Sequence, residues 1–137
     1  MNYWLVKSEP FKFSFDQLIK DKKTMWDGVR NYQARNNMMA MKEGDLVLFY
    51  HSNEGKEVVG LAKVAKEHYP DPTTEDKRWV VVDIIPVEKL KKTVTLEQVK
   101  KDSRLESIAL IKQARLSVMG LKKEEFDIIL ELSENNQ

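Results

Sequence analysis

Two apolar, β-branched runs in the chain are long for ordinary strands. They are "VVGLAKVAKEHY", Val58 to Tyr69, and "RWVVVDIIPVEKL", Arg78 to Leu90. Strands in globular proteins usually hold ~3–10 residues, so each run must bend or break register to fit a small domain. Each contains a residue suited to that. Gly60 marks a bulge or a close approach of other backbone, and Pro86, lacking an N–H for the ladder, marks a bulge or an edge. "DLVLFYH", Asp45 to His51, adds a continuous apolar run bounded by polar turns, as a strand buried on both faces requires. Long bent strands with a bulge glycine suit a small barrel better than a flat open sheet.

The other segments fill in around these. "YWLVK", Tyr3 to Lys7, reads as a first strand ended by Pro10, "SNEGKE" as a hairpin loop, and "ARLSVMG" as a last strand. Ser14 with Gln17, and Thr95 with Gln98, have the spacing of capping boxes and open two short helices. "KKTMWDG" reads as a turn. "NYQARNNMMAMKEG" is helical at its later end, with Ala34, Met38 and Met41 on one face. "LESIALIKQ" is a short helix, and "KKEEFDIILELS" an amphipathic one with Phe126, Ile129 and Leu130 inward. These elements predict one α+β domain, a small bent β-barrel of five or six strands with surrounding helices. The polar segment Ser133 to Gln137 is expected to be a tail.

Charge and residue types narrow the function. Lys and Arg number 23 against 22 Asp and Glu, a net charge of +1, so nucleic-acid binding would require a local patch or pocket rather than bulk charge. Cysteine is absent, which removes disulfides, thiolate metal sites and cysteine nucleophiles. The two histidines, His51 and His68, lack metal-ligand spacing. Five glycines form neither GxGxxG nor a P-loop, and no serine sits in a nucleophile elbow. Binding without catalysis, cofactor or metal is therefore the expectation. No run approaches the ~20 apolar residues of a membrane span, and "MNYWLVKSEP" is not a secretory signal. An intracellular protein is expected, cytoplasmic if bacterial and nuclear if eukaryotic, with a monomer as the default.

Polar residues cluster at strand ends and loops: Lys7-Ser8-Glu9, the stretch "WDGVRNYQARNN" from Trp26 to Asn37, Phe49 to Ser52, Tyr69-Pro70-Asp71, and Arg115 to Ser117. In a barrel several of these ends converge on one mouth. Each also has a structural reading. Trp26 is either a core tryptophan or a pocket wall. Lys7 and Glu9 form a solvated pair, Arg30 and Arg35 bind surface carboxylates, His51 is a bonded structural histidine, Met38, Met39 and Met41 pack a helix, and Asn31, Asn36 and Asn37 make turn and cap bonds.

"NYWLVKSEP", "WDGVRNYQARNN", "GDLVLFYHSN", "VVGLAKV", "YPDPT", "RWVVVDI" and "RLSV", in that order, resemble the EVE domain family from Asn2 to about Leu130. The resemblance implies a PUA-like domain over residues 1–132, followed by the tail 133–137. It also implies kinship with YTH domains, which hold methylated adenine of RNA in an aromatic cage. The function it implies is reading a modified base in nucleic acid, with modified cytosine in DNA the leading proposal, and no cofactor or metal. By the same resemblance Lys7 and Ser8 lie at a pocket floor and Trp26 forms the stacking wall. Asn31 and Asn36 are polar contacts, Tyr50, His51 and Ser52 the rim, and Ser117 lies nearby. Apart from the resemblance, their positive charge makes Lys7, Arg30, Arg35 and Arg115 the expected contacts to flanking phosphates. Many members carry a longer insert between "YPDPT" and the "RW" strand, where this chain has only residues 74–77. Two other classes stay open: an enzyme on a modified nucleotide, with His51 as base beside Ser8 or Asp71, and an adaptor whose pocket holds a side chain or metabolite.

Overall fold

The computed structural model describes residues 1–135 of the chain. In chain order the elements are β1 (Tyr3–Ser8), α1 (Phe15–Asp21), β2 (Thr24–Met25), α2 (Tyr32–Ala40), β3 (Leu46–His51), β4 (Glu57–Pro70) and β5 (Val80–Thr95). Then follow α3 (Leu96–Lys101), a 3-10 turn (Ser103–Leu105), α4 (Ala109–Lys112), β6 (Val118–Leu121) and α5 (Lys123–Asn135). The two long runs do become long strands, and β5 extends past Leu90 to Thr95.

The local signals explain most element starts. The Ser14 hydroxyl accepts from the Gln17 N–H at 3.1 Å, although the Gln17 side chain turns to Asp21, so only half of that capping box forms. At Thr95 both halves form. Asn31 caps α2 by accepting from the Ala34 N–H at 2.9 Å. The apolar face of α2 is as expected: Ala34 and Met38, with Met41 just beyond, are buried, whereas Met39 is exposed.

The strands form one six-stranded sheet in the order β2-β5-β4-β3-β1-β6. β1 runs parallel to β3, and the other pairs are antiparallel. The parallel pair forces a crossover: the chain leaves β1, passes through α1, β2 and α2, and only then returns as β3. β3 is paired on both sides, and Val47 to Tyr50 are buried, as its unbroken apolar run requires.

Two of the ladder breaks fall where the sequence placed them, and others, between Val64 and Tyr69 of β4 and at Phe49–Tyr50 of β3, do not. The β4–β5 ladder changes register at four places, one of them between Val58 and Gly60. Gly60 sits at a bulge as expected, but what approaches it closely is a side chain rather than backbone: a Cβ there would lie 2.4 Å from the Phe15 ring. Pro86 pairs with Ala62 beside another shift, on a part of β5 beyond the two residues that pair with β2.

The closed barrel does not form. β2 and β6 remain separate edges with no ladder between them. β2 has only two residues before the chain turns away through Asp27 and Gly28, which adopts φ +77°. A strand that short has no second ladder to offer. The observed class is mixed α+β, a bent open sheet with helices around it.

The core is built from Leu5, Phe15, Leu18, Met38, Met41, Leu48, Phe49, Ile84, Leu105, Met119 and Ile129, all fully buried. α5 packs on β5. Phe126 and Ile129 are buried and Leu130 is half-buried. The helix continues past Leu132, so the polar tail does not begin at Ser133. That serine is buried and donates from Oγ to the Lys92 carbonyl at 2.8 Å. Residues 136–137 lie outside the described residues. Among those described, no helix is long and apolar enough to cross a membrane.

Candidate nucleic-acid interface

A cavity of about 770 Å³ opens where the sheet fails to close. The end of β1 forms one side and the β2–Arg30 segment the opposite side. The turn after β1, the Ser52–Asn53 loop and residues 114–117 complete it.

The β1 side is held by backbone and side chain together. The Lys7 N–H donates to the Ser117 carbonyl at 2.9 Å, and the Lys7 ammonium donates to the Ala114 carbonyl at 2.8 Å. Burial pushes the Lys7 amine below its ordinary value. The Ser8 hydroxyl donates to the Phe13 carbonyl at 2.6 Å, and the Ser52 N–H donates to the Ser8 carbonyl at 2.9 Å. Lys7 and Glu9 are not a solvated pair: Glu9 is bound instead by Lys12 and the Asn53 amide.

Trp26 is neither of the two extremes the sequence allowed. Its backbone N–H donates to the Val82 carbonyl at 2.8 Å. Its ring is half-buried, edge-on to Phe49 at 5.5 Å and to Phe13 at 6.3 Å between ring centres, and it lines the cavity. Aromatic contacts on the core side thus fix a large ring whose remaining surface faces the opening.

The loop carrying Trp26 is anchored by Asp71 of the "YPDPT" segment. Asp71 is only 2% exposed. One carboxylate oxygen accepts from the Gly28 N–H at 3.2 Å and from Arg30 at 3.0 Å, while the other accepts from the Thr73 N–H at 2.7 Å and hydroxyl at 2.6 Å. Burial alone would raise this carboxyl, but the bonds from Thr73, Arg30 and Gly28 outweigh it and hold it down at about 2. Beyond Arg30 a cationic-aromatic stack continues outward. Arg30 lies 5.7 Å from the Trp79 ring centre, Tyr32 packs on Trp79 at 5.1 Å, and Arg35 sits 4.9 Å over Tyr32. The short residues 74–77 close on themselves, with Asp76 binding Arg78 at 2.6 Å.

Of the residues expected at the site, Lys7, Ser8, Trp26, Arg30, Ser52, Arg115 and Ser117 line the cavity. Asn31, Asn36, Tyr50, His51 and Arg35 do not. Asn31 is occupied as a helix cap. Asn36 accepts from Arg35 at 2.8 Å. Tyr50 is buried, and burial raises its phenol. His51 Nε2 accepts from the Phe15 N–H at 3.1 Å, and burial pushes its imidazole down despite the opposing pull of Glu57 and Asp16. Arg30 is the carboxylate binder its structural reading described, whereas no carboxylate pairs with Arg35 or Arg115 among the described residues. Phe13, Met25 and Asn53 line the cavity without having been singled out. Phe13 carried a faint signal, as the second aromatic of "PFKF" just after a predicted strand.

A bent mixed sheet with one aromatic wall and a rim of serine, lysine and arginine defines a pocket-bearing α+β domain. The sequence model of the EVE domain matches residues 2–132, and the chain belongs to the EVE domain family. It is 41% identical to thymocyte nuclear protein 1 of Mus musculus over 97% of this chain and 74% of that protein. The match spans 167 residues, so that protein carries residues inside the matched region that this 137-residue chain lacks. The solution structure of Rpa0253 from Rhodopseudomonas palustris superposes with a TM-score of 0.94 at 44% identity, covering 100% of this chain and 96% of that one. The crystal structure of human THYN1 protein, in complex with 5-methylcytosine-containing DNA, superposes with a TM-score of 0.92 at 35% identity and covers 100% of both chains.

Proposed function

We propose that this chain is a reader of a modified base, with 5-methylcytosine in DNA the leading ligand, and that it binds without catalysing a reaction. The observation that carries this reading is Trp26, fixed edge-on by Phe49 and Phe13 with ring surface left toward a cavity that also presents Lys7, Ser8, Ser52 and Ser117. The solved complex of the human relative with 5-methylcytosine-containing DNA supports the choice of polymer and modification. A PUA-like arrangement, with the open end of a bent sheet cupping a base, is the fold reading that accompanies it.

Each part of a modified base has a suitable counterpart. Its flat face meets indole, and base–aromatic stacking is worth ~1–3 kcal/mol. Its polar edge meets Ser52 and Ser117, whose hydroxyls both donate and accept, and Ser8, whose hydroxyl gives its proton to Phe13 and so offers an acceptor. The Lys7 ammonium uses one of its three donors on Ala114 and is placed to meet a carbonyl or phosphate. A buried methyl adds ~0.8 kcal/mol, about fourfold in affinity. Discrimination is therefore modest unless the modification makes hydrogen bonds of its own. The enzyme reading is disfavoured because its expected base is committed: the His51 Nε2 lone pair accepts the Phe15 N–H, and Asp71 is paired with Arg30.

The test is a titration of single-stranded DNA and RNA oligonucleotides, each with one modified or plain cytosine, against wild type and Trp26→Ala. Wild type should prefer the modified DNA strand several-fold, and Trp26→Ala should lose ~1–3 kcal/mol of binding. Equal affinity for modified and plain strands, or unchanged binding by the variant, overturns the assignment. Binding indifferent to salt and to nucleic acid would identify an adaptor instead.

A further inference from the structure

Phe11 is 68% exposed and, among the described residues, makes no ring contact with another aromatic. One exposed phenylalanine is common on protein surfaces and carries no argument alone. Here its placement adds three facts.

The first is rigidity. Phe11 sits at the third position of a turn closed by the Lys12 N–H donating to the Glu9 carbonyl at 2.9 Å. Pro10 precedes it, and its ring fixes the backbone torsion there. The turn is also tied at both ends. Ser8 bonds the Phe13 carbonyl at 2.6 Å, and Glu9 is held by the Asn53 amide from the β3–β4 loop. An apolar side chain is thus presented to solvent on a stiff support.

The second is position. Glu9, Lys12 and Phe13, on either side of it, line the cavity, while Phe11 itself does not. It therefore projects from the rim rather than into the pocket. The third is charge. Lys12 neutralises Glu9 at 2.8 Å, and Arg115 on another part of the rim has no carboxylate partner among the described residues. The carboxylate beside the projecting ring, Glu9, is thus neutralised, and the rim carboxylate without an ion pair among the described residues, Asp27, lies on the Trp26 side of the cavity.

A base can enter the cavity from a duplex only by leaving the stack, which opens a gap between its neighbours. Apolar side chains such as Phe and Leu fill or prise open such gaps in bent duplexes. We propose that Phe11 is the wedge that enters the base stack at the position vacated by the extruded base, making the domain competent on duplex as well as single-stranded DNA. This rests on the base-reading assignment of the adjacent cavity and adds to it a residue that acts outside the pocket, on the polymer.

The experiment titrates wild type, Phe11→Ala and Phe11→Leu against three probes: a single strand with one 5-methylcytosine, the same strand unmethylated, and the methylated strand annealed to its complement. Stacking on one base face corresponds to roughly five- to a hundredfold in affinity. Phe11→Ala should therefore weaken duplex binding about tenfold while changing single-strand binding less than about twofold, and Phe11→Leu should restore most of the duplex affinity. Equal losses on duplex and single strand, no loss on the duplex, or failure of wild type to bind the duplex each overturn the wedge. If wild type does not distinguish the methylated single strand from the plain one, the pocket assignment fails first, and the wedge with it.

Discussion

Replacing Asp71 by asparagine changes one atom of a buried carboxylate and tests how the Trp26 loop is held. Four donors converge on that group: Gly28 N–H, Arg30, and the backbone and hydroxyl of Thr73. An amide offers one acceptor oxygen instead of two, so whichever way it is turned an NH2 group faces at least one N–H, and Arg30 loses its counter-charge. Removing one partner of a fully buried ion pair costs ~3–5 kcal/mol. The Arg30 side chain is 39% exposed and rehydrates in part, so about 2–3 kcal/mol is expected. The loss should also depend on pH. The folded Asp71 carboxyl lies at about 2, below the ordinary 3.8, so its contribution is complete above about pH 4 and disappears as pH falls toward 2. Urea unfolding of wild type and Asp71→Asn from pH 6 to pH 2 should show two curves that converge at the acid end, other carboxylates cancelling in the difference. Affinity for the modified strand should fall in the variant, since Gly28 and Arg30 belong to the segment that directly follows Trp26. A difference below ~0.5 kcal/mol, or one that stays constant from pH 4 to pH 2, refutes the anchoring role.

Gly60→Ala places a Cβ against the buried Phe15 ring and should destabilise by about 1–3 kcal/mol. Combining it with Phe15→Leu should cost less than the sum of the two single changes in denaturant unfolding, and strict additivity would contradict the close approach. Arg35→Ala removes a guanidinium with no carboxylate partner among the described residues, outside the cavity. It should weaken modified and plain strands alike and lower the salt-dependence slope by ~1; a change in the modified-to-plain ratio would place Arg35 in the pocket instead.

The parts of the fold legible in the sequence are those fixed by short-range chemistry. Ser14 and Thr95 announce helix starts because a cap bond spans three residues. Gly60 announces its break because no other residue fits there. The β3 run shows central burial because both of its faces are apolar. Closure of the sheet was not legible, since it depends on how many residues of β2 pair before the chain turns, and a two-residue strand leaves almost no pattern. The site divides in the same way. Lys7, Ser8, Trp26, Ser52 and Ser117 are in place because strand ends gather at one opening. His51 and Asn31 share that neighbourhood in sequence but spend their polar atoms on nearby backbone N–H groups. The anchoring role of Asp71 could not be read, because two of its partners, Gly28 and Arg30, lie more than forty residues away along the chain.

The pairing of β1 with β6 has a consequence for when the cavity comes into being. Tyr3 to Val6 lie between Leu46 to Phe49 of β3 and Val118 to Leu121 of β6, so the first strand made is flanked on one side by the last. Pairings this remote in sequence close slowly, because loop entropy is lost before contacts repay it. The Lys7 N–H and ammonium find their acceptors only at Ser117 and Ala114. A chain still emerging from the ribosome therefore carries the Trp26 side of the cavity long before it has the Lys7 side, and the cavity is completed as one of the final events of folding.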